Sequence, residues 1–373
     1  MKKIVFLTGT RADFGKIKSV IKLLRLKRFN VKIFVTGMHL NRIFGYTYNE
    51  IKKSFPESIL YKFNNNVNSN KLDLIIAKTI KGFSKFLDKE CPDLVIIHGD
   101  RSEALAGAIS ASFKGILVGH IEGGEISGNI DEHIRHSISK LSHIHFVSNN
   151  LAKKRLSKMG EIKSKIFTCG SPDIDVMLSN KLPSISIAKN RYNINFDEYL
   201  ILLYHPETQN INKIVNDTKN LVKAIITSKK KFVVIYPNND FGFKEIIDIY
   251  KKSFRKNNNF KIISSLRFEY FLTFLKNAKM IIGNSSAGVR EAPIYGIPSL
   301  NLGNRQKYRA KSKSIFDRSF SKKEIISIIN KKMNKRFKAN KLFGEGDSAQ
   351  KIVQNLQDRK LWKTSKQKYL KII

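Results

Sequence analysis

The sequence predicts an α/β protein made of two doubly wound domains that face a cleft. Short apolar runs of strand length alternate with amphipathic helical stretches, which is the pattern of a parallel sheet covered by helices. The alternation stops at a polar segment, residues 178–190, which contains Pro183 and several serines, and then starts again. A chain of 373 residues is also too long for one small core. We therefore expect a linker near residues 178–190 with a domain on either side.

In the first domain, strands are predicted at residues 3–7, 31–35, 94–97, 116–118, 143–147 and 166–168. A helix follows the first strand directly, because apolar residues recur at helical spacing at Ile17, Val20, Ile21 and Leu24. A second helix is predicted at residues 103–113. Polar motifs follow several strands, and ligands of open parallel sheets bind at the carboxyl ends of strands.

In the second domain, strands are predicted at residues 200–203, 232–236, 260–263, 280–282 and 299–302. From about residue 321 the chain is predicted to be helical and very basic, ending near Trp362. The predicted limits are 1–177 for the first domain, 192–355 for the second, and 356–373 for a C-terminal helix.

Composition narrows the class of protein. The net charge of +39 would suit a polyanion partner, but lysines are scattered along helix faces and loops, and no RNA-binding motif is present. We expect a lysine-rich solvated surface and no specific nucleic acid. The apolar N-terminal run, residues 4–7, is too short for a signal peptide or membrane span, so we expect no membrane partner. Cys91 and Cys169 lie far apart, which fits a reducing cytoplasm and excludes a disulfide framework.

Four motifs of the first domain carry polar side chains. The loop TGTRADFG, residues 8–15, leads into a helix and suits a phosphate, with Arg11 adding charge, although such turns often bind nothing. Asp100 and Arg101 follow the strand 94–97, either as functional groups or as a local ion pair. Glu122 lies in HIEGGE, residues 120–125. Asp131 opens a helix with Arg135 at i+4, which can keep it ionised.

Asp100, Glu122 and Asp131 are expected to converge on one edge of the first domain. Acid–base chemistry at a carbon centre needs such a set, with environments that separate the pKa values. Glu132 has a structural explanation instead, as part of a capping arrangement with Asn129. Six of the eight histidines lie between His98 and His145, but they lack a known metal-ligand spacing, so no metal is predicted.

The second domain offers three motifs after strands. YHPET, residues 204–208, places His205 at the cleft edge. GNSSAG, residues 283–288, puts Ser285 and Ser286 at a helix start that suits a diphosphate, unless it is an ordinary cap. Glu291, predicted in that same helix, can accept hydrogen bonds from ribose hydroxyls. NLGNRQ, residues 301–306, adds Arg305.

Together these motifs resemble the hydrolysing UDP-N-acetylglucosamine 2-epimerases of sialic and related nonulosonic acid biosynthesis. The resemblance spans residues 3–309, and its most specific stretches are residues 8–13, 99–103, 120–136, 205–208 and 283–291. It implies a fold of two Rossmann-like domains of the glycosyltransferase-B type, whose C-terminal helix packs back on the first domain. The EGGE form at residues 122–125 is similar to the hydrolysing branch, whereas the non-hydrolysing branch usually carries alanine at the first glycine.

The resemblance also implies roles and a reaction. The implied catalytic residues are Asp100, Glu122, Asp131 and His205. The implied UDP-contacting residues are Arg11, Arg101, Asn238, Ser285, Ser286, Glu291 and Arg305. The implied products are UDP and N-acetylmannosamine, formed through a 2-acetamidoglucal, without a cofactor, by a homodimer or homotetramer. Three alternatives stay open: a UDP-N,N'-diacetylbacillosamine 2-epimerase of legionaminic acid synthesis, a glycosyltransferase of the same fold, and a non-catalytic basic protein.

Overall fold

A computed structural model describes residues 1–67, 71–127, 130–207 and 212–369. The chain divides into two compact units, each with its own parallel sheet. Unit 1 comprises Met1–Glu125, Asp131–Asn180 and Leu342–Ile373, and unit 2 comprises Ile126–Ile130 and Lys181–Lys341. The predicted α/β class with two doubly wound sheets is confirmed.

Unit 1 has a seven-stranded sheet in the order β3-β2-β1-β4-β5-β6-β7. Its strands are β1 (Lys3–Thr8), β2 (Asn30–Val35), β3 (Leu60–Lys62), β4 (Leu94–His98), β5 (Leu117–Ile121), β6 (Ile144–Val147) and β7 (Ile166–Thr168). The first seven helices are α1 (Arg11–Leu26), α2 (Tyr48–Ser54), α3 (Leu72–Glu90), α4 (Ser102–Phe113), α5 (Ile130–Leu141), α6 (Asn150–Lys158) and α7 (Pro172–Met177). The sequence did not predict β3, a three-residue strand with exposed side chains.

The core of unit 1 explains why its strands are so apolar. Helices cover the sheet, and β4 and β5 are buried at every residue. On α1 the predicted apolar face of Ile17, Val20, Ile21 and Leu24 is buried, which confirms the helical spacing. The predicted strands ended before His98 and His120, but these histidines lie within β4 and β5. Both strands are buried over their full length, and this burial includes the two histidines.

Unit 2 has a six-stranded sheet in the order β10-β9-β8-β11-β12-β13. Its strands are β8 (Leu200–Leu203), β9 (Phe232–Ile235), β10 (Phe260–Ile263), β11 (Ile281–Gly283), β12 (Ser299–Leu302) and β13 (Ile315–Arg318). Its helices are α8 (Ile185–Tyr192), α9 (Ile214–Thr227), α10 (Phe243–Phe254), α11 (Phe268–Asn277), α12 (Ser286–Val289) and α13 (Lys322–Lys332). The edge strand β13 was not predicted, since it is a short strand with no fully buried residue.

The predicted linker at residues 178–190 is partly wrong. It includes most of α8, whose start is capped by the Ser184 hydroxyl accepting a hydrogen bond from the Ile187 amide at 3.3 Å. A serine that looked like a linker residue is therefore a helix N-cap. The division between units falls at Asn180 and Lys181.

The C-terminal part of the chain returns to unit 1 earlier than predicted. Residues 342–355, predicted within the second domain, belong to unit 1. Helix α14 (Ser348–Gln357) begins before the predicted helix at 356–373, of which residues 370–373 lie outside the described residues. Its Ile352, Val353 and Leu356 join the core of unit 1. The Asp175 carboxylate accepts the amides of Ser348 at 2.8 Å and Ala349 at 2.7 Å, which fixes the start of this helix.

Two further properties concern the chain as a whole. Both cysteines are free thiols, and burial raises the pKa of Cys169 to about 12, so this thiol stays protonated and unreactive at neutral pH. A search of the described ranges finds no helix with the length and apolar character needed to cross a membrane.

A buried carboxylate near α5 gathers three basic side chains. Glu161 is 3% exposed, and its oxygens lie 3.0 Å from His145 Nε2, 3.0 Å from Lys140 Nζ and 2.5 Å from Lys368 Nζ. Burial alone raises the pKa of Glu161, but the hydrogen bonds from His145 and Lys368 outweigh it and lower the pKa to about 2.

Replacing Glu161 with glutamine is expected to lower the free energy of unfolding by about 3 kcal/mol at pH 7. The folded pKa is about 2 and the ordinary value is 4.5, so the contribution is complete above pH 4.5 and is lost as the pH falls through 2. Urea titrations of both proteins between pH 7 and pH 3 measure this difference. The exposed Glu57→Gln is the matched control, and a loss for Glu161→Gln that did not shrink in acid would contradict the explanation.

Candidate functional site

The predicted first-domain residues share one edge of the unit 1 sheet. Strands β1, β4 and β5 are neighbours, with Ile4 paired to Leu94 and His98 to Ile121. Because the strands are parallel, the loops that follow them meet at the carboxyl edge of the sheet. These loops and the helices they lead into carry Arg11, Asp100, Arg101, Glu122 and Asp131.

The loop after β1 is organised by an acidic side chain. Thr10 caps α1 and forms a capping box with Asp13, whose carboxylate also accepts the Gly9 amide at 3.0 Å. The amides of Gly9 and Thr10 thus donate to Asp13, so the loop has fewer donors for a phosphate than the sequence suggested. Arg11 Nη2 lies 2.5 Å from Glu50 Oε1. Its role toward UDP stays a prediction.

Asp100 is held by a buried guanidinium. Arg135 is fully buried, and its Nε and Nη2 both donate to Asp100 Oδ2, the former at 3.1 Å. Its Nη1 donates to the Glu125 carbonyl at 3.0 Å. Burial lowers the pKa of Arg135, but nearby carboxylates, Asp100 and Asp131 among them, raise it above its ordinary value. The sequence paired Arg135 with Asp131, and the guanidinium does interact electrostatically with that carboxylate, in addition to its hydrogen bonds to Asp100.

Glu122 lies at the centre of a buried polar network. Its Oε2 is 3.3 Å from His98 Nε2 and 3.8 Å from Lys16 Nζ, and the Ser171 hydroxyl donates to Oε1. Lys16 Nζ is also 3.1 Å from Asp173 Oδ2. The Glu122 backbone has a φ of +68°, an unfavourable value for a residue with a side chain, which is typical of functional turns. The network therefore holds Glu122 as an acceptor at the sheet edge.

Sequence reasoning missed three members of this network: Lys16, Ser171 and Asp173. Ser171 and Asp173 follow β7, so the rule that selected the other loops applies to them as well. Lys16 lies next to Ile17 on the buried side of α1, where a charged residue needs a partner. A lysine within the apolar face of a predicted helix was therefore the feature of the sequence that could have identified Lys16 as a member of the network.

His120 links two elements of unit 1. Its Nε2 is 2.8 Å from the Gly99 carbonyl and its Nδ1 is 3.1 Å from Ser139 Oγ. Burial lowers the pKa of His120 to about 3, so the ring is neutral and its Nε2–H donates to the Gly99 carbonyl. Ser139 Oγ, which lies beside Nδ1, donates to the Arg135 carbonyl at 3.0 Å. This histidine supports the residues around Asp100. Across the part of the chain that the structure describes, no group of three or more His, Cys, Asp or Glu residues is arranged to hold a metal.

The second-unit residues are organised around Asn284, which is fully buried. Its Oδ1 accepts the His205 amide at 2.7 Å, and its Nδ2 donates to the His205 carbonyl at 2.9 Å. Its own carbonyl accepts from Arg305 Nη1 and Gln306 Nε2, both at 3.3 Å. Strands β8, β11 and β12 are neighbours, so Asn284 ties together the loops that follow them. The sequence placed Asn284 in a motif without assigning it this role.

The His205 ring has a defined tautomer. Its Nδ1 accepts the Asn238 amide at 3.0 Å, so the hydrogen of the neutral ring lies on Nε2. Asn238 Nδ2 donates to Asp240 Oδ2 at 3.0 Å, and Arg305 Nη2 lies 3.9 Å from the same oxygen. His205, Asn238 and Arg305 therefore form one cluster in unit 2.

The turn after β11 differs in part from the prediction. Ser285 caps α12 and accepts the Ala287 amide at 3.3 Å, and Ser286 is the first helical residue. Glu291, 3% exposed, lies beyond α12, so the predicted helix containing it is wrong. Pro293 follows within a 3₁₀ turn, Ala292–Tyr295, because proline cannot continue an α-helix.

The predicted cap Asn129 and the motif residue Thr208 lie outside the described residues.

Comparisons with known proteins identify the family and the fold of the chain. A family model described as UDP-N-acetylglucosamine 2-epimerase matches residues 22–357. A UDP-N-acetylglucosamine 2-epimerase of Neisseria meningitidis serogroup B is 40% identical, covering 99% of this chain and 98% of that protein. A UDP-N,N'-diacetylbacillosamine 2-epimerase (hydrolyzing) of Legionella pneumophila is 33% identical, covering 96% of each chain. Among solved structures, the chain is similar to a crystal structure of Methanocaldococcus jannaschii UDP-GlcNAc 2-epimerase in complex with UDP-GlcNAc and UDP. The two sequences are 25% identical, the match covers 95% of this chain and 99% of that one, and the TM-score is 0.80. This likeness confirms the predicted fold class.

Proposed function

The chain belongs to the UDP-N-acetylglucosamine 2-epimerase family, and from this premise we propose that it is a hydrolysing member that releases UDP and N-acetylmannosamine. It is an enzyme of the 2-epimerase type, and its substrate is a UDP-linked amino sugar. The observation that carries the acid–base assignment is that Arg135 interacts with both Asp100 and Asp131 at the carboxyl edge of the unit 1 sheet, where Glu122 lies as well. We assign the product to nonulosonic acid biosynthesis of the sialic type.

A steric contact supports the hydrolysing type. A Cβ placed on Gly123 would lie 2.7 Å from His120 Nδ1 and 2.9 Å from Ser139 Oγ. Both distances are too short for a real contact, so the alanine usual in the non-hydrolysing branch does not fit beside this His120 ring. The ring is itself held by Gly99 and Ser139, which leaves little room for it to move.

The proposed reaction begins with elimination. The C2 proton of the sugar is not acidic, so its removal is coupled to cleavage of the bond between C1 and UDP, which gives a 2-acetamidoglucal with a C1–C2 double bond. Water then adds its oxygen to C1 and loses a proton to a carboxylate, while an acid delivers a proton to the other face of C2. The free sugar with inverted C2 is the product. We assign proton transfer to Asp100 and Asp131, with Glu122 as the third candidate.

The second unit supplies groups that suit a departing diphosphate. His205 presents a donor at Nε2, Arg305 adds a positive charge, and the Ser285 cap begins a helix whose positive dipole end favours an anion. We propose that these groups, with Ser286, bind the diphosphate. We further propose UDP contacts for Arg11, Arg101, Asn238 and Glu291, and a homodimer or homotetramer as the active species.

Solvent deuterium tests the reaction. With UDP-N-acetylglucosamine in D₂O, the released sugar is expected to carry one deuterium at C2, seen by NMR, together with an equal amount of UDP. A glycosyltransferase would leave hydrogen at C2 and need an acceptor. A non-catalytic basic protein would release no UDP, and its polynucleotide affinity would fall steeply with salt.

A second candidate substrate has support of its own. The Legionella relative is named for UDP-N,N'-diacetylbacillosamine, and this chain matches it over nearly its full length. Parallel reactions with both UDP sugars, compared by kcat/KM, decide between them. A clear preference for the diacetylated sugar would move the pathway assignment to legionaminic acid while leaving the chemistry unchanged.

Asn284→Ala is expected to weaken UDP binding about tenfold, because the two hydrogen bonds that hold the His205 backbone are lost. Isothermal titration with UDP measures the change. Asn216→Ala, which removes an exposed amide on α9, is the matched control. Equal UDP affinities for the two variants would show that Asn284 does not organise this site.

A further inference from the structure

The ammonium group of Lys368 is enclosed by oxygens at the end of α5. Its Nζ donates to the carbonyls of Ser139 at 3.0 Å, Lys140 at 2.7 Å and Ser142 at 2.6 Å. It also lies 2.5 Å from Glu161 Oε2. The Lys368 side chain is 23% exposed. These four oxygens are called the oxygen cage below.

The oxygen cage has the chemistry of a cation site. The last carbonyls of an α-helix have no partner within the helix and carry its negative dipole end. Two such carbonyls, from Ser139 and Lys140, converge with the carbonyl of Ser142 just beyond the helix and with the Glu161 carboxylate within 3.0 Å of one nitrogen. This all-oxygen set is suited to a small cation. A neutral residue in this position would leave buried oxygens facing one another.

The tail that carries Lys368 is anchored a second time. His143 Nε2 is 3.0 Å from the Lys366 carbonyl, and His143 Nδ1 accepts the Val118 amide at 3.1 Å. Burial, helped by the charge of Lys368, lowers the pKa of His143, so its neutral ring donates to Lys366. The tail is thus fixed where Lys368 enters the oxygen cage.

The oxygen cage is connected to the proposed catalytic carboxylates by two routes. Helix α5 itself carries Asp131 and Arg135, and Arg135 holds Asp100. Ser139, one of the cage residues, places its hydroxyl 3.1 Å from Nδ1 of His120, which donates to the carbonyl of Gly99 beside Asp100. A shift of the end of α5 therefore moves both the helix and the loop that present the carboxylates.

We propose that the oxygen cage is a cation-binding site that Lys368 fills with its own ammonium group, and that filling it positions α5 for catalysis. Lys368 is then a positioning residue, because it acts through α5 and Ser139. Its effect on turnover rests on the proposed function. The occupancy of the oxygen cage and its effect on α5 are independent of the proposed function.

Two substitutions separate charge from volume. Lys368→Ala empties the oxygen cage, and Lys368→Met fills it with an uncharged chain of similar length. Lys366→Ala, on the same tail with an exposed side chain, is the matched control. We expect kcat to fall about tenfold in both Lys368 variants with KM little changed, and to stay near wild type in Lys366→Ala.

Chemical rescue is the decisive measurement. Ammonium or methylammonium chloride is expected to restore kcat of Lys368→Ala to within about twofold of wild type, since one charged hydrogen-bonding group is replaced. Tetramethylammonium at the same ionic strength has no N–H donor and should not rescue. Lys368→Met should not respond to any of these salts, because its side chain occupies the space. Equal rescue of both variants, or wild-type kcat in Lys368→Ala, overturns the proposal.

Amide hydrogen exchange gives a readout independent of turnover. Residues 130–141 are expected to exchange faster in both Lys368 variants than in Lys366→Ala, and methylammonium should slow exchange in Lys368→Ala alone. If the wild type is inactive on both UDP sugars, the proposed function is wrong. The exchange data still test whether Lys368 in the oxygen cage stabilises α5. If Lys368→Ala does not fold, the test rests on Lys368→Met. Exchange of residues 130–141 in that variant as slow as in Lys366→Ala contradicts the proposal.

Discussion

Replacing Asp100 with asparagine is expected to lower the rate of UDP release about 10³-fold while leaving UDP affinity within about twofold of wild type. Asparagine keeps the shape of the side chain and an oxygen that can accept from Arg135, but it cannot take up a proton. Asp131→Asn should behave alike if the two carboxylates transfer the protons. A coupled assay for UDP and isothermal titration with UDP measure the two quantities separately.

The control for these variants is Asp88→Asn, which removes an exposed carboxylate of unit 1 that pairs with Lys114. Its turnover should match wild type. Retention of near-normal turnover in both Asp100→Asn and Asp131→Asn would refute the assignment and leave Glu122 as the carboxylate to test. Deuterium exchange at C2 without UDP release would show that proton removal precedes departure of UDP.

Lys16→Met is expected to lower the free energy of unfolding by about 3 kcal/mol, since removing one partner of a buried ion pair leaves uncompensated charge. The Lys16 side chain is 9% exposed and lies between the carboxylates of Glu122 and Asp173. Turnover should fall as well, because Glu122 loses a cation that stabilises its charge. Urea unfolding and the UDP-release assay measure the two effects.

A second substitution tests the cause of that loss. Lys16→Met combined with Asp173→Asn removes an ammonium and a carboxylate together, so about half of the lost stability should return. Lys22→Met, an exposed lysine on the same helix, is the matched control and should change stability by less than about 0.5 kcal/mol. A double variant no more stable than Lys16→Met alone would mean that Asp173 is not the partner that matters.

Much of the fold could be predicted because burial leaves a periodic trace in the sequence. The face of Ile17, Val20, Ile21 and Leu24 on α1 is one such trace, and it is buried as predicted. Elements with little burial left no such trace. Strand β3 is short and exposed, and β13 lies at the edge of its sheet. The linker prediction failed at Ser184 because a helix cap and a loop favour the same residue types.

The candidate site could be proposed from the sequence where one rule applied, that ligands bind at the carboxyl ends of parallel strands. Asp100, Glu122 and His205 were selected by this rule, and the structure places each of them after a parallel strand. The partners that hold them were not, because they come from distant parts of the chain. Lys16 lies on α1 and Asp173 on α7, and periodicity contains no information about which side chains meet across a sheet. The role of Asn284 could not be predicted for another reason. Its side chain bonds the backbone amide and carbonyl of His205, and a contact with a backbone does not depend on the identity of the partner residue.

Unit 1 is built from segments that lie before and after unit 2 in the chain, and this has a consequence for biosynthesis. The ribosome completes all of Lys181–Lys341 before α14 can emerge. The apolar surface that Ile352, Val353 and Leu356 cover in the finished protein therefore stays open to solvent and to neighbouring nascent chains throughout that interval. Unit 1 reaches its final packing only after α14 has left the exit tunnel, whereas unit 2, apart from the short segment Ile126–Ile130, is one continuous stretch that can fold as it is made.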